Sequence, residues 1–113
     1  MTPEKILRMV DRTITQSFKG GENIDDIKSQ LRTRSVNFMK VLLKDKTIDV
    51  DEVMSTDWEN LTSSRIKYGV YYIKNCSKRI DDLDWVLTNK NKFGGRNEEQ
   101  IFGLIKLKDK LSK

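Results

Sequence analysis

Histidine and alanine are absent from this 113-residue chain, and cysteine and proline occur once each. Without histidine no Ser-His-Asp or Cys-His device can be built, and the commonest general base and metal ligand are both missing. With Cys76 as the only thiol, no internal disulfide can form and the usual Cys/His zinc sets cannot be assembled. A lone thiol suits a reducing compartment, so a cytoplasmic, intracellular location (a host cell, for a viral chain) is expected. Long apolar runs are missing as well. The longest, residues 68–73, falls far short of the roughly 18 residues that a membrane span needs, so no membrane association is expected. The first twenty residues carry charges throughout, unlike the apolar core of a signal peptide. The lack of alanine beside plentiful Ile, Lys, Asn and Asp matches the codon usage of an AT-rich genome, which points to a phage, another virus or a low-GC microbe.

What remains is polar yet globular. Hydrophobic residues make up 36% and charged residues 35%, and two Trp, four Phe and three Tyr supply anchors that a disordered chain lacks. The net charge of +5 is unevenly spread. Residues 1–63 carry a net of −1, and residues 64–113 a net of +6. That asymmetry suits an anionic partner, although a solvated lysine-rich surface would look the same.

The periodicity is helical throughout. Thr2-Pro3 has the N-cap and N1 arrangement in which proline's missing N–H costs nothing. Ile6, Leu7, Val10, Ile14 and Phe18 then recur at helical spacing until Gly20-Gly21, which predicts a helix over 3–19. A second helix begins near Asn23–Asp26 and runs to about Lys44. Its stripe is Ile24, Ile27, Leu31, Phe38 and Leu42, with Ser35 in the gap as a candidate for close backbone approach. Residues 45–57 read as a short acidic helix or turn. Thr56-Asp57-Trp58-Glu59 resembles a capping box. Downstream, Gly69, Ile73, Cys76, Ile80, Leu83 and Leu87 are spaced 4, 3, 4, 3, 4, a heptad-like seam. Together these predict a long central helix over about 57–88, a loop at 89–95, and a final helix opened by Asn97 and Gln100. The expected fold is all-α, a compact bundle of four to five helices around that long helix, in a single domain over 1–113.

Chemistry is then sought on surfaces. Cys76 lies on the seam, where a buried structural thiol is expected. Asp45, Asp49, Asp51 and Glu52 lack the spacing and the glycine of a calcium loop, and helix-start acids account for them. A small metal-dependent nuclease using Asp49, Asp51 and Glu52 ranks third. Neither Gly20-Gly21 nor Gly94-Gly95 has the Gly-Lys-Ser/Thr ending of a phosphate loop. No catalytic residues, metal ligands or cofactor are expected, and the chain reads as not an enzyme.

Lys67, Tyr71, Lys74 and Lys78, spaced 4, 3, 4, form one stripe opposite the seam, suited to tracking phosphates with a stacking tyrosine. Lys90, Lys92, Phe93 and Arg96 form a second basic and aromatic cluster at the foot of the helix, and Lys106, Lys110 and Lys113 extend the charge. The basic residues of the second helix are spread around it, and no tight helix-turn-helix spacing is present. The leading expectation is therefore a nonenzymatic nucleic-acid-associated accessory protein with weak sequence preference. The alternative is a protein-binding adaptor or inhibitor, such as a phage or viral regulator, acting through helix–helix contacts. Trp58, Tyr68 and Trp85 are its candidate partner-binding residues, and the 57–88 seam its candidate homo-oligomer contact.

Overall fold

The computed structural model describes residues 1–112, so Lys113, one of the cations named above, lies outside the described residues. Five α-helices follow in order: α1 (Pro3–Lys19), α2 (Ile24–Leu43), α3 (Val50–Ser55), α4 (Ser64–Asn89) and α5 (Glu98–Leu111). Short 3-10 turns occupy Trp58–Asn60 and Lys90–Phe93, and no strand occurs among the described residues. The fold is an all-α bundle around a long central helix, as the periodicity predicts.

Local chemistry fixes most boundaries. The Thr2 hydroxyl accepts from the Lys5 N–H at 3.3 Å with Pro3 following it, which starts α1. Gly21, at φ +83°, supplies the left-handed residue that turns the chain into α2. Asn23 caps α2 by accepting from the Asp26 N–H at 2.9 Å. Asp49 caps α3 by accepting from the N–H groups of Asp51 and Glu52. Asn97 and Gln100 form a reciprocal capping box at α5.

The start of α4 differs from expectation. The capping oxygen belongs to Ser63, and Thr56 instead donates its hydroxyl back to the Glu52 carbonyl at 2.6 Å, closing α3. Residues 57–63 cross the head of α4 through the 3-10 turn at Trp58–Asn60, held where the Trp58 N–H donates to the Tyr71 hydroxyl at 2.8 Å. The central helix is thus 26 residues long, about 39 Å at 1.5 Å per residue.

Two apolar clusters share α4. The larger joins Ile6, Val10 and Ile14 of α1 and Ile24, Ile27 and Leu31 of α2 to Tyr72, Cys76, Leu83 and Val86 of α4 and to Ile101 and Phe102 of α5. The smaller joins Leu42, Leu61, Val70 and Ile73, roofed by Val50, Val53 and Met54. The seam is therefore consumed inside the chain. Gly69, Ile73, Cys76 and Leu83 are buried, and Ile80 and Leu87 pack half-buried against the same core. The 57–88 seam expected to meet a second copy therefore packs within the chain, with Ile80 and Leu87 left half-buried. The close approach of α2 falls at Gly69, where a methyl group would sit 3.6 Å from Leu42 Cδ2. Ser35 instead faces Cys76, whose thiol burial pushes up in pKa, with a Ser35 hydrogen bond partly offsetting the shift.

Candidate interaction surfaces

The lysine stripe of α4 is engaged within the chain. Lys67 Nζ lies 5.3 Å from the Trp58 ring centre. Lys74 Nζ lies 5.2 Å from that of Tyr71 and donates to the Thr56 carbonyl at 3.4 Å. Trp58 meets Tyr71 edge-on at 4.8 Å, so the tyrosine expected to stack on a base already has an aromatic partner. Further down the helix, Lys78 pairs with Asp109 of α5 at 3.2 Å. The stripe thus splits into a cap on the 56–61 crossing and a strut to α5.

The second cluster lies at the far end of α4. Phe93 is half-buried and meets the Trp85 ring at 5.7 Å, edge to face, which closes that end of the bundle. Lys90 reaches Glu98 at 3.9 Å. Lys92 and Arg96 are exposed beside Gly94 and Gly95. Lys67 lies near the start of α4 and Lys90 just past its end at Asn89, 22 helical positions or about 33 Å away, so the two clusters do not form one site. Of the alternative partner-binding residues, Trp58 is covered as described, and Tyr68 packs on Phe38 and Tyr72 with ring centres 5.4 and 5.8 Å away. Burial raises the Tyr68 pKa. Trp85 is the most exposed of the three, at 46%.

Two features lie outside the candidate site residues read from the sequence. The first is Arg79, fully buried in the middle of α4. Its Nε and Nη2 donate to the two Asp11 oxygens at 2.6 and 2.9 Å, a bidentate pair to α1. Its Nη1 donates to Asp82 at 2.8 Å and to Asp109 of α5 at 2.6 Å, and the guanidinium lies 5.5 Å from the Phe102 ring centre. Burial alone would favour the neutral guanidinium, but the hydrogen bonds to Asp11 and Asp82, joined by Asp109, hold its pKa above the ordinary value. Partial burial would raise the Asp109 carboxyl, yet Arg79 and Lys78 hold it below the usual range. One side chain thereby ties α1, α4 and α5 together. The available signal is a second line on α4, Tyr72, Arg79 and Val86 at intervals of seven, running beside the seam.

The second feature is α5, which is apolar on two sides. Ile101 and Phe102 are its only fully buried residues, with Ile105 partly buried against the core. Leu104, Leu107 and Leu111, spaced 3 and 4, remain 40%, 51% and 75% exposed. Exposed Lys108 and Lys110 lie to either side of this line, roughly 65–95° around the helix by its 3.6-residue turn. The signal is legible, since the apolar positions of α5 span more of the circumference than one buried face requires. Between α1 and α5 runs a groove of about 430 Å³ bordered by Leu7, Arg8, Lys106 and Lys110, with Glu4 and Asp109 also at its walls and Arg79 at its floor.

No group of three or more acidic, cysteine or histidine side chains is placed to hold a metal ion among the described residues. Asp49, Asp51 and Glu52 form the capped start of α3. Among the described residues no helix is long and apolar enough to cross a membrane. No protein-family model, curated protein or solved structure matches the chain.

Proposed function

We propose that this chain is a nonenzymatic protein-binding adaptor or inhibitor that docks a partner through helix–helix contacts on α5. One observation carries the proposal: Leu104, Leu107 and Leu111 form an exposed line on a helix whose opposite side is already packed. Leucines at such spacing are what one helix presents to another. Fully burying one leucine contributes about 1.5–3 kcal/mol; only the exposed part of each side chain adds to a contact, so the three leucines supply its apolar centre and flanking contacts must supply the rest. The test is capture from lysate with the wild-type chain and with Leu107→Glu, each before and after nuclease treatment. Leu107 is half exposed, so the substitution spares the core. Partners that resist nuclease and disappear with Leu107→Glu support the proposal. Binding that nuclease abolishes and Leu107→Glu leaves intact overturns it.

A second reading, nucleic-acid association, draws support from the exposed Lys92 and Arg96 beside the half-buried Phe93, within the half of the chain that carries +6. It is less favoured because Lys67, Tyr71, Lys74 and Lys78 have partners in the fold. Phosphate binding would weaken steeply with salt. An affinity for a DNA or RNA oligonucleotide unchanged between low and high salt removes its electrostatic basis.

A further inference from the structure

We infer that the occupant of the α5 face is an acidic amphipathic helix, with an apolar line bordered on both sides by Asp or Glu. This rests on the protein-binding reading above and adds the chemistry of the partner.

The argument is charge complementarity around a fixed apolar line. Leu104 to Leu111 spans seven residues, about 10 Å, or two turns of a facing helix. Lys108 flanks the line on one side and Lys110 on the other, both exposed. In paired helices such flanking positions select the partner by charge. On the Lys110 side the cationic border continues into the α1–α5 groove through Arg8 and Lys106. The Lys106 ammonium is anchored there by donating to Thr15 Oγ1 at 3.1 Å and lies 5.4 Å from the Phe102 ring centre. Of the two acids in that groove, Asp109 is taken by Arg79 and Lys78. A partner therefore meets lysines on both flanks and leucines between them.

A second copy of this chain fits less well. It carries the same net +5. In an antiparallel pair its Glu99 would serve Lys110, but the residue beside Leu104 on the Lys108 flank is Ile101, so Lys108 would meet no acid. A phosphate backbone fits less well again, since it leaves the leucines exposed.

The experiment uses the full chain and two labelled helical peptides of 21 residues with leucine at the seam positions. One carries Glu at every flanking position and the other Lys. Anisotropy titrations at low and high salt compare wild type, Leu107→Glu and Lys108→Glu/Lys110→Glu, with circular dichroism confirming that each variant is folded. The acidic peptide should bind wild type, more weakly as salt rises. Leu107→Glu should weaken it about 30-fold or more, the effect of losing a central anchor. The double charge reversal should transfer preference to the basic peptide. Equal binding of both peptides, still lost in Leu107→Glu, overturns the acidic assignment while leaving α5 as the docking face. Binding of neither peptide, alongside a nuclease-resistant partner lost in Leu107→Glu, overturns the acidic helix in the same way. A wild-type dimer in sedimentation that dissociates in Leu107→Glu identifies the occupant as a second copy and overturns the inference. Insensitivity of every interaction to Leu107→Glu defeats both the inference and the reading beneath it.

Discussion

Replacing Asp11 with alanine should be among the most damaging single changes outside the apolar core. Asp11 supplies both oxygens of the bidentate contact to Arg79, at 2.6 and 2.9 Å, and the Arg79 side chain is only 1% exposed. Breaking a buried pair from one side typically costs 3–5 kcal/mol, because a charge is left without its counterion. Asp82 and Asp109 would still hold Nη1, and water can reach the Asp11 position, which is 14% exposed. The lower end, about 3 kcal/mol, is therefore expected. Against a total of about 5–15 kcal/mol for a domain of this size, that is a drop in melting temperature of roughly 10–20 °C. Urea unfolding followed by circular dichroism gives the value directly. Asp82→Ala is the internal control. Asp82 is 25% exposed and shares Nη1 with Asp109, so its loss should cost about 1 kcal/mol. Pairing Asp11→Ala with Arg79→Met should cost less than the sum of the two single changes, since the Asp11–Arg79 contact is lost only once. An Asp11→Ala cost below about 1 kcal/mol, or strict additivity with Arg79→Met, would refute the view that this network clasps three helices.

Further outcomes follow from the packing and the charge pairs. Gly69→Ala should be neutral or stabilising by up to about 1 kcal/mol, because a methyl there meets Leu42 at an ordinary 3.6 Å and helix-interior glycine is unfavourable. Gly69→Leu should lower the urea midpoint sharply by driving into Leu42 and Phe38. Cys76, fully buried with a raised pKa, should resist a thiol-reactive disulfide reagent at pH 8 and react on unfolding in urea. Asp109 has a folded pKa lowered from 3.8, so its contribution is fully present above about pH 4 and lost as pH falls through the lower folded value. Stability measured by urea should change little through Asp109 between pH 7 and 5, and Asp109→Asn should flatten the acid limb below pH 4.

The helix pattern was largely legible because caps and apolar spacing agree along the chain. Thr2-Pro3, Asn23 and Asn97 sit where the helices begin, and the stripe of α1 is the stripe that is buried. Residues 56–63 misled because they carry two competing cap signals. Thr56-Asp57-Trp58-Glu59 has the capping-box form, but the Tyr71 hydroxyl draws the Trp58 N–H across the helix head and Ser63 caps instead. That choice depends on a contact thirteen residues away, which local pattern does not contain. The partners of the lysine stripe, Trp58, the Thr56 carbonyl and Asp109, come from other elements, and Tyr71 packs against the core, none of which helical spacing alone contains. Arg79 was hidden for the same reason, since its counterions lie on α1 and α5 as well as on its own helix. The leucine line of α5 needed no tertiary information. The six apolar positions of α5, too widely spread for one face, already show a helix with two sides to cover.

The most direct test of the central claim is an amide chemical-shift map of the labelled 113-residue chain, titrated first with its nuclease-resistant partner and then with a short oligonucleotide. A protein-binding module of the proposed kind should show partner-induced shifts concentrated at Leu104, Leu107, Lys108 and Leu111, and little change with the oligonucleotide. Shifts centred on Lys92, Phe93 and Arg96 with the oligonucleotide, and none along α5 with any protein, would contradict the account and return the basic end of α4 to first place.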